Sequence, residues 1–298
     1  MAGNINNLID SRYGASSSTI DSPKDTIPQI PTNPALELIL KHKSVRHFLP
    51  NMPLPPGTLE VLITAAQSAA TSSHLQLWTA ISITDAQPSH KARIATLCGA
   101  QSFINAAPLF LIFCADLHRL TDLSAHYELP GTGLNYTEMF LMASLDAGLA
   151  GQNAALAAES LGLGICYVGA VRNNLAELSE VLRLPDRVVP VFGLAVGVPD
   201  LEAVGKQGTD VKPRLPRSMV LRRETWDEEG VEGGEKGKGK GDEFDAYDSV
   251  MASFNAAAGR GDMPIWTKRS AKRVESVASL NGRHVLKETL LAKGFELR

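Results

Sequence analysis

Hydrophobic positions recur along this chain with two different periods, which predict helices interleaved with strands. Apolar residues at helical spacing predict amphipathic helices over 34–43, 57–70, 88–97 and 175–182. Short β-branched or continuously apolar runs predict strands over 78–84, 108–114, 164–168 and 188–196. Helices packed on a sheet are the economical architecture for this pattern, and the expected fold class is α+β.

The stretch from Tyr136 to Leu161 is apolar on nearly every side. It predicts a long central helix that runs through the core. The apolar surface of this helix is larger than the rest of one chain can cover, so we expect a homodimer. Asp146 lies in the middle of this stretch and argues against a membrane span, which needs about 20 apolar residues. Near the end of the chain, Asn281 is expected to cap a last helix that reaches Ala292.

Composition divides the chain into four parts. Residues 1–33 are rich in Ser, Asn, Thr and Pro, and we predict a disordered N-terminal extension. Residues 223–244 consist almost wholly of glycine and charged residues, which is typical of a flexible insertion. A main domain over 34–222 and a C-terminal helical segment over 245–298 remain.

Charge and cysteine usage exclude several classes of protein. The 29 Lys and Arg against 32 Asp and Glu give a net charge of −3, without the basic excess of a nucleic-acid-binding protein. Three widely spaced cysteines form neither a disulfide framework nor a zinc-binding spacing. The N-terminus resembles neither a signal peptide nor a mitochondrial presequence, and the expected location is the cytoplasm.

Two glycine patterns fail as nucleotide-binding motifs. A spacing like that of a P-loop ends at Lys240, but Gly241 stands where a Ser or Thr must bind magnesium. A dinucleotide pattern that starts at Gly162 has Tyr167 in place of its third glycine and follows a helix instead of a strand. Without an HExxH or GxSxG motif, we predict neither a metal site nor a hydrolase.

Two basic clusters are candidates for binding a phosphate. Residues 42–48, HKSVRHF, place several potential cations and a hydroxyl at the end of the first predicted helix. Residues 212–217, KPRLPR, hold cations on a backbone stiffened by two prolines. The alternatives are a solvated helix C-terminus for the first cluster and a rigid surface connector for the second.

Six blocks in order give a resemblance to a known family: HKSVRHF, ATSSHLQ, GAQSFINAAPLFLIFCAD, AAESLGLGICYVGAVRNN, LPDRVVPVFGLAVGVP and KPRLP. Their order and spacing resemble the FMN-dependent nitroreductases, and within them the large NADPH-using branch of oxygen-insensitive nitroreductases and flavin reductases. The resemblance covers about residues 35–222 and continues more faintly to the C-terminus. It implies a mixed β-sheet flanked by helices, in an intertwined homodimer with one FMN in each of two interface clefts.

The resemblance also implies which residues bind the cofactors. Relatives usually have Arg where this chain has Lys43, which keeps the charge but loses the bidentate fork. It places Arg260 at the 2′-phosphate of NADPH, without the second arginine of relatives, which Lys268 or Arg269 could replace. The positions implied for FMN are His42, Lys43, Ser44, Arg46, Thr71, Ser72, Gln101, Tyr167, Val168, Gly169, Ala170, Lys212 and Arg214.

The reaction implied by the resemblance is ping-pong electron transfer. NADPH delivers a hydride to FMN, and a nitroaromatic, quinone or similar acceptor then takes two electrons. Arg46 or Lys212 would stabilise the negative charge of the reduced flavin, and no residue is expected to act as a nucleophile or as an obligatory acid or base. The alternatives are an NADPH-dependent flavin reductase that supplies reduced FMN and a non-catalytic FMN-binding protein.

Overall fold

A computed structural model describes Arg12 and residues 33–206, 211–222, 224–226 and 240–298. The chain divides into two units, one of residues 1–43 and 201–279 and one of residues 44–200 and 280–298. The predicted extension and insertion lie largely outside the described residues. These units meet at residues 43/44, 200/201 and 279/280, and the first helix groups with residues 201–279.

The second unit is built on a four-stranded sheet. Its strands pair in the order β1-β2-β4-β3, and every neighbouring pair is antiparallel. This differs from the mixed sheet that the resemblance implies, since the parallel pairing described is an isolated bridge between Ser44 and Ile165. The strands are β1 (Trp78–Thr84), β2 (Leu109–Asp116), β3 (Gly164–Val168) and β4 (Val188–Gly197). Every residue of β2 is buried, as its continuous apolar run predicts.

Helices flank the sheet within the second unit and make up most of the described residues of the first unit. In chain order they are α1 (Pro34–Lys41), α2 (Thr58–Gln67), α3 (Pro88–Leu97), α4 (Ser102–Ala106), α5 (His118–His126), α6 (Thr137–Ser160), α7 (Leu175–Val181), α8 (Leu201–Lys206), α9 (Arg217–Val220), α10 (Lys240–Ala257), α11 (Trp266–Arg273) and α12 (Leu286–Ala292). Asn33 caps α1 by accepting a hydrogen bond from the Leu36 amide, as the Asn-Pro signal indicates. No helix of the described residues is long and apolar enough to cross a membrane.

The long helix α6 lies on the sheet through a row of small residues. Its buried face consists largely of alanines, which pack in one core cluster with residues of β2, β3 and β4. At Gly151 the approach is so close that a Cβ would overlap the ring of Phe192. Leu141, Leu145 and Leu149 on another side of α6 are 51%, 58% and 48% exposed, so this chain alone leaves part of the helix's apolar surface uncovered, as predicted.

The C-terminal cap and the end of the insertion differ from the predictions. Asn281 has φ 51° and lies in a turn, and α12 begins only at Leu286. Gly282 explains the turn, since its φ is 83° and a Cβ there would lie 2.5 Å from the carbonyl oxygen of Asn173. Helix α10 begins at Lys240, so the last residues of the predicted insertion are helical.

Candidate functional site

Residues 44–46 run along the outer edge of β3. The Val45 amide donates to the Ile165 carbonyl at 2.8 Å, and a Cβ on Gly164 would overlap the Val45 side chain. Val45 is buried, whereas Ser44 and Arg46 on either side of it are exposed. Because side chains alternate along an extended segment, burying Val45 presents the hydroxyl of Ser44 and the guanidinium of Arg46 on the other side.

Arg46 lies between β3 and the short helix α4. Its guanidinium carbon is 6.0 Å from the centroid of the Phe103 ring, within cation–π range. Burial raises the pKa of the Cys166 thiol on β3, and the positive charge of Arg46 offsets part of that shift. Arg46 therefore places a positive charge at this part of the sheet edge.

The loop before α4 lies against the turn that follows β3. Gly99 has φ 82°, and a Cβ on it would be 3.7 Å from the Cβ of Ala170. Gln101, the residue before α4, donates from its side-chain amide to the Cys98 carbonyl at 3.1 Å. The structure thus places two predicted FMN positions, Ser44 and Arg46, along the edge of β3. It places two others, Gln101 and Ala170, in the loop before α4 and in the turn after β3, which lie against each other.

Two arginines that the sequence analysis did not select face the turn at Gly169. A Cβ on Gly169 would lie 3.4 Å from Nη2 of Arg172 and 3.8 Å from Nη1 of Arg283. The Arg172 guanidinium donates to the Val191 carbonyl, and Nε of Arg283 donates to Oδ1 of Asn173 at 2.9 Å. Burial lowers the pKa of Arg172, and repulsion by Arg283 lowers it further.

This arginine pair makes the Gly169 turn electropositive. Arg172 follows a strand and a glycine turn, a signal that could have selected it from the sequence. Arg283 lies 114 residues beyond Gly169, and no local pattern connects the two.

The predicted FMN residues Thr71 and Ser72 are held by the buried carboxylate of Asp146 on α6. One carboxylate oxygen accepts from the Thr71 hydroxyl at 2.6 Å and from the Leu77 amide at 3.0 Å, and the other accepts from the Ser72 amide at 3.2 Å. The proton of the Thr71 hydroxyl is already used in the hydrogen bond to Asp146, so Thr71 cannot donate it to a ligand. Ser72 is therefore the better candidate for contact with a ligand.

The predicted positions Tyr167 and Val168 are the last two residues of β3 and belong to the sheet core. Tyr167 packs its ring 5.3 Å from that of Phe192 and donates its hydroxyl to Gln152 at 3.4 Å. Burial raises the pKa of Tyr167, and the Glu159 carboxylate raises it further. Val168 is buried, so Tyr167 and Val168 can offer a ligand their backbone more readily than their side chains.

The predicted basic residues of the first unit form a separate group. His42 ends α1, and Lys212 and Arg214 lie on an extended segment with exposed side chains. Tyr247 of α10 supports that segment by donating its hydroxyl to the Pro213 carbonyl at 3.1 Å. Lys43 directly follows His42 at the end of this unit.

Arg260 lies in the turn after α10. Its guanidinium carbon is 5.9 Å from the Phe254 ring centroid, and its side chain is exposed. Nη1 of Arg269 lies 3.9 Å from the sulfur of Met263, so this second cation reaches back toward the turn. Arg269 is therefore placed to supply a second positive charge near Arg260, where relatives carry a second arginine.

The donors of the second unit suit FMN. A flavin ring presents mostly acceptor atoms, and its phosphate needs hydroxyls and cations. The structure supplies the Ser44 hydroxyl, the Arg46 guanidinium, the Gln101 amide and a turn at Gly169 beside two guanidiniums. No group of His, Cys, Asp and Glu that could bind a metal occurs in the part of the chain that the structure describes.

Comparison with known proteins gives the same family over nearly the whole described chain. A model of the nitroreductase family matches residues 39–198, and a model of the family's C-terminal domain matches residues 212–298.

Two curated relatives align over about two thirds of the chain. One is the FMN reductase (NADPH) of Bacillus subtilis (strain 168), 42% identical over 195 residues that cover 65% of this chain and 75% of that protein. The other is the oxygen-insensitive NADPH nitroreductase of Salmonella typhimurium, 38% identical over 189 residues that cover 63% of this chain and 73% of that protein.

Solved structures agree with this assignment. That of B. megaterium NfrA1 matches with a TM-score of 0.78 and 34% identity, over 89% of this chain and 100% of that one. The two family models together account for the sheet, the long helix and the C-terminal helices. The chain belongs to the nitroreductase family.

Proposed function

We propose that this protein is an FMN-dependent NADPH oxidoreductase that transfers two electrons to nitroaromatics, quinones or similar small acceptors. The observation that carries the proposal is the set of donors around β3: Ser44 and Arg46 lie along its edge, Arg46 lies over Phe103 of α4, and the turn at Gly169 after it faces two guanidiniums. Relatives named as an NADPH-dependent FMN reductase and an NADPH nitroreductase support the same cofactor and electron donor.

When bound, FMN supplies the redox chemistry, accepting a hydride from NADPH and passing two electrons to the acceptor. The chain's own residues bind and orient it. Ser44 and Arg46 are a hydroxyl and a guanidinium on adjacent outward positions, which is the donor set that a phosphate needs. The main-chain amides of the Gly169 turn and the side chain of Gln101 suit the polar edge of the ring.

Cationic charge near the ring offsets the negative charge that two electrons bring. Lys212 was the alternative to Arg46 for this role, and the structure adds the pair Arg172 and Arg283. The pair is held in place by bonds to Val191 and Asn173, so its charge needs no rearrangement during turnover.

For NADPH, we assign the 2′-phosphate to Arg260 with Arg269 as the second cation. Arg269 reaches the turn through Met263, which makes up for the arginine that relatives carry nearer to Arg260. Asp262 in the same turn is exposed and opposes a phosphate. The preference for NADPH over NADH is therefore expected to be present but weaker than in relatives with two arginines in the turn.

We further propose that the protein is a homodimer and that it works in the cytoplasm. The exposed stripe of Leu141, Leu145 and Leu149 on α6 is an apolar surface of the kind that a second copy covers. Burial raises the pKa of the Cys98 thiol to about 12, and it is one of three buried free thiols, which suits a reducing compartment.

Flavin spectroscopy and turnover test the function. The purified protein, supplied with FMN, should show a bound-flavin absorbance spectrum and oxidise NADPH faster when a nitroaromatic is added. A protein that gains no flavin spectrum is not an FMN enzyme. One that binds FMN without oxidising NADPH is a non-catalytic FMN-binding protein.

The name of the 42% identical relative favours a second candidate, an FMN reductase that releases reduced flavin. Measuring kcat/KM for free FMN and for a nitroaromatic under the same conditions separates the two. A much higher value for free FMN identifies a flavin reductase, and the reverse identifies a nitroreductase.

A further inference from the structure

Arg12 is a buried cation in the N-terminal extension, where the sequence predicts disorder. Its side chain is 5% exposed. The family model begins at residue 39, so Arg12 precedes the matched region by 27 residues. Its hydrogen bonds within the first unit join it to two backbone segments.

One side of the Arg12 guanidinium caps the end of α1. Nε donates to the Leu40 carbonyl at 2.9 Å, and Nη2 donates to the His42 carbonyl at 2.6 Å and the Ile39 carbonyl at 3.4 Å. These carbonyls lie at the C-terminal end of the helix, where its dipole is negative. The Ile39 carbonyl also accepts from the His42 amide at 3.3 Å, and Arg12 adds donors for the carbonyls that follow it. A buried cation there fixes where α1 stops and therefore where His42 lies.

The other side of Arg12 holds the 212–214 segment. Nη1 donates to the Lys212 carbonyl at 3.3 Å, and the Arg12 carbonyl accepts from the Arg214 amide at 2.7 Å. With Tyr247 donating to Pro213, the backbone of three successive residues is held from two directions. The side chains of Lys212 and Arg214 remain exposed.

We propose that Arg12 is a positioning residue for FMN, because it fixes the end of α1 and the 212–214 segment relative to each other. The inference rests on the proposed function, with His42, Lys212 and Arg214 as the FMN positions that the family resemblance implies. A lysine could not make the same set of hydrogen bonds. The planar guanidinium donates from three nitrogens that point in different directions, whereas an ammonium group donates from a single nitrogen. The extension thus contributes to the cofactor site through Arg12.

The test compares three variants of the full-length protein by FMN fluorescence titration. Arg12→Met keeps most of the apolar stem and removes every guanidinium bond, and it should raise the FMN Kd about tenfold, as loss of a group that orients ligand-binding residues does. Arg12→Lys should lie between Arg12→Met and wild type. The control Lys24→Met removes the other Lys or Arg of the extension and should bind FMN like wild type.

A double-mutant cycle with Arg214→Met separates positioning from general stability. If Arg12 acts through Arg214, the two substitutions together should raise the Kd by less than the product of their separate effects. Urea unfolding of the apoprotein is measured in parallel. A variant that loses stability but binds FMN as wild type does, or a cycle with independent effects, overturns the proposal.

Two further outcomes are distinguishable. If Arg12→Met does not fold, Arg12→Lys decides: a raised Kd supports the proposal and a wild-type Kd overturns it. If wild type itself binds no FMN, the proposed function fails and this inference falls with it.

Discussion

Replacing Asp146 tests how the loop that carries Thr71 and Ser72 is held. This carboxylate accepts bonds at residues 71, 72 and 77. Between these anchors, Ser73, His74 and Gln76 have φ values of 50°, 58° and 54°, in the left-handed region. Each such residue costs about 1–2 kcal/mol. Because strain of this kind persists only where surrounding bonds enforce it, Asp146 is the group that maintains the loop.

The substitution Asp146→Asn removes the charge at nearly constant shape. If the amide oxygen keeps Thr71 and Leu77 as donors, two charge-assisted bonds become neutral ones, at about 1 kcal/mol each. The amide nitrogen then faces the Ser72 amide, donor against donor, which adds about 1 kcal/mol or more. The expected loss is about 3 kcal/mol of unfolding free energy, and relaxation of the strained loop limits any larger effect.

Urea unfolding of the apoprotein at a fixed protomer concentration measures this loss. Ser144→Ala is the matched control, because Ser144 lies on the same helix and its buried hydroxyl has no hydrogen-bond partner among the described residues. The control should differ from wild type by about 0.5 kcal/mol or less. If Asp146→Asn is as stable as Ser144→Ala, the carboxylate does not hold the loop.

Four further measurements test the rest of the site. Wild type should be a dimer in light scattering and Leu145→Glu a monomer, and a variant that stays dimeric places the interface elsewhere. Arg46→Ala should lose about 2–4 kcal/mol of FMN binding energy in a fluorescence titration, whereas deleting residues 227–239, which ends before α10, should leave FMN binding unchanged. Arg260→Ala should lower the ratio of kcat/KM for NADPH to that for NADH, and an unchanged ratio excludes Arg260 from the 2′-phosphate. The three buried cysteines should react with a thiol reagent at pH 8 slowly in the native protein and fully in urea, since burial raises their pKa values.

Elements with a strong periodic pattern could be predicted from the sequence almost residue by residue. The predicted strands 78–84 and 164–168 have the observed bounds, and the predicted helix 136–161 is observed as Thr137–Ser160. In each case the local pattern and the tertiary burial agree. Helix α5 was not predicted, because its exposed sequence HRLTDLSAH has no buried residue to mark a core-facing stripe.

The candidate site was predictable where it follows a linear motif and not where it depends on distant contacts. Ser44 and Arg46 belong to one block of sequence, and the structure places both on the edge of β3. Arg12 and Arg283 lie far along the chain from the groups that they contact, so no spacing rule connects them. Asn281 was assigned as a cap because it precedes an apolar pattern, but the left-handed Gly282 next to it makes a turn instead.

The fit of Gly151 beneath Phe192 constrains how this sequence can diverge over evolutionary time. A larger residue at 151 requires a smaller one at 192, and either change alone yields a less well packed protein. The two positions are therefore expected to vary together among descendants of this chain. Since the Phe192 ring also touches Tyr167, a lineage that exchanges this pair would inherit a shifted Tyr167 and would have to readjust the turn after β3.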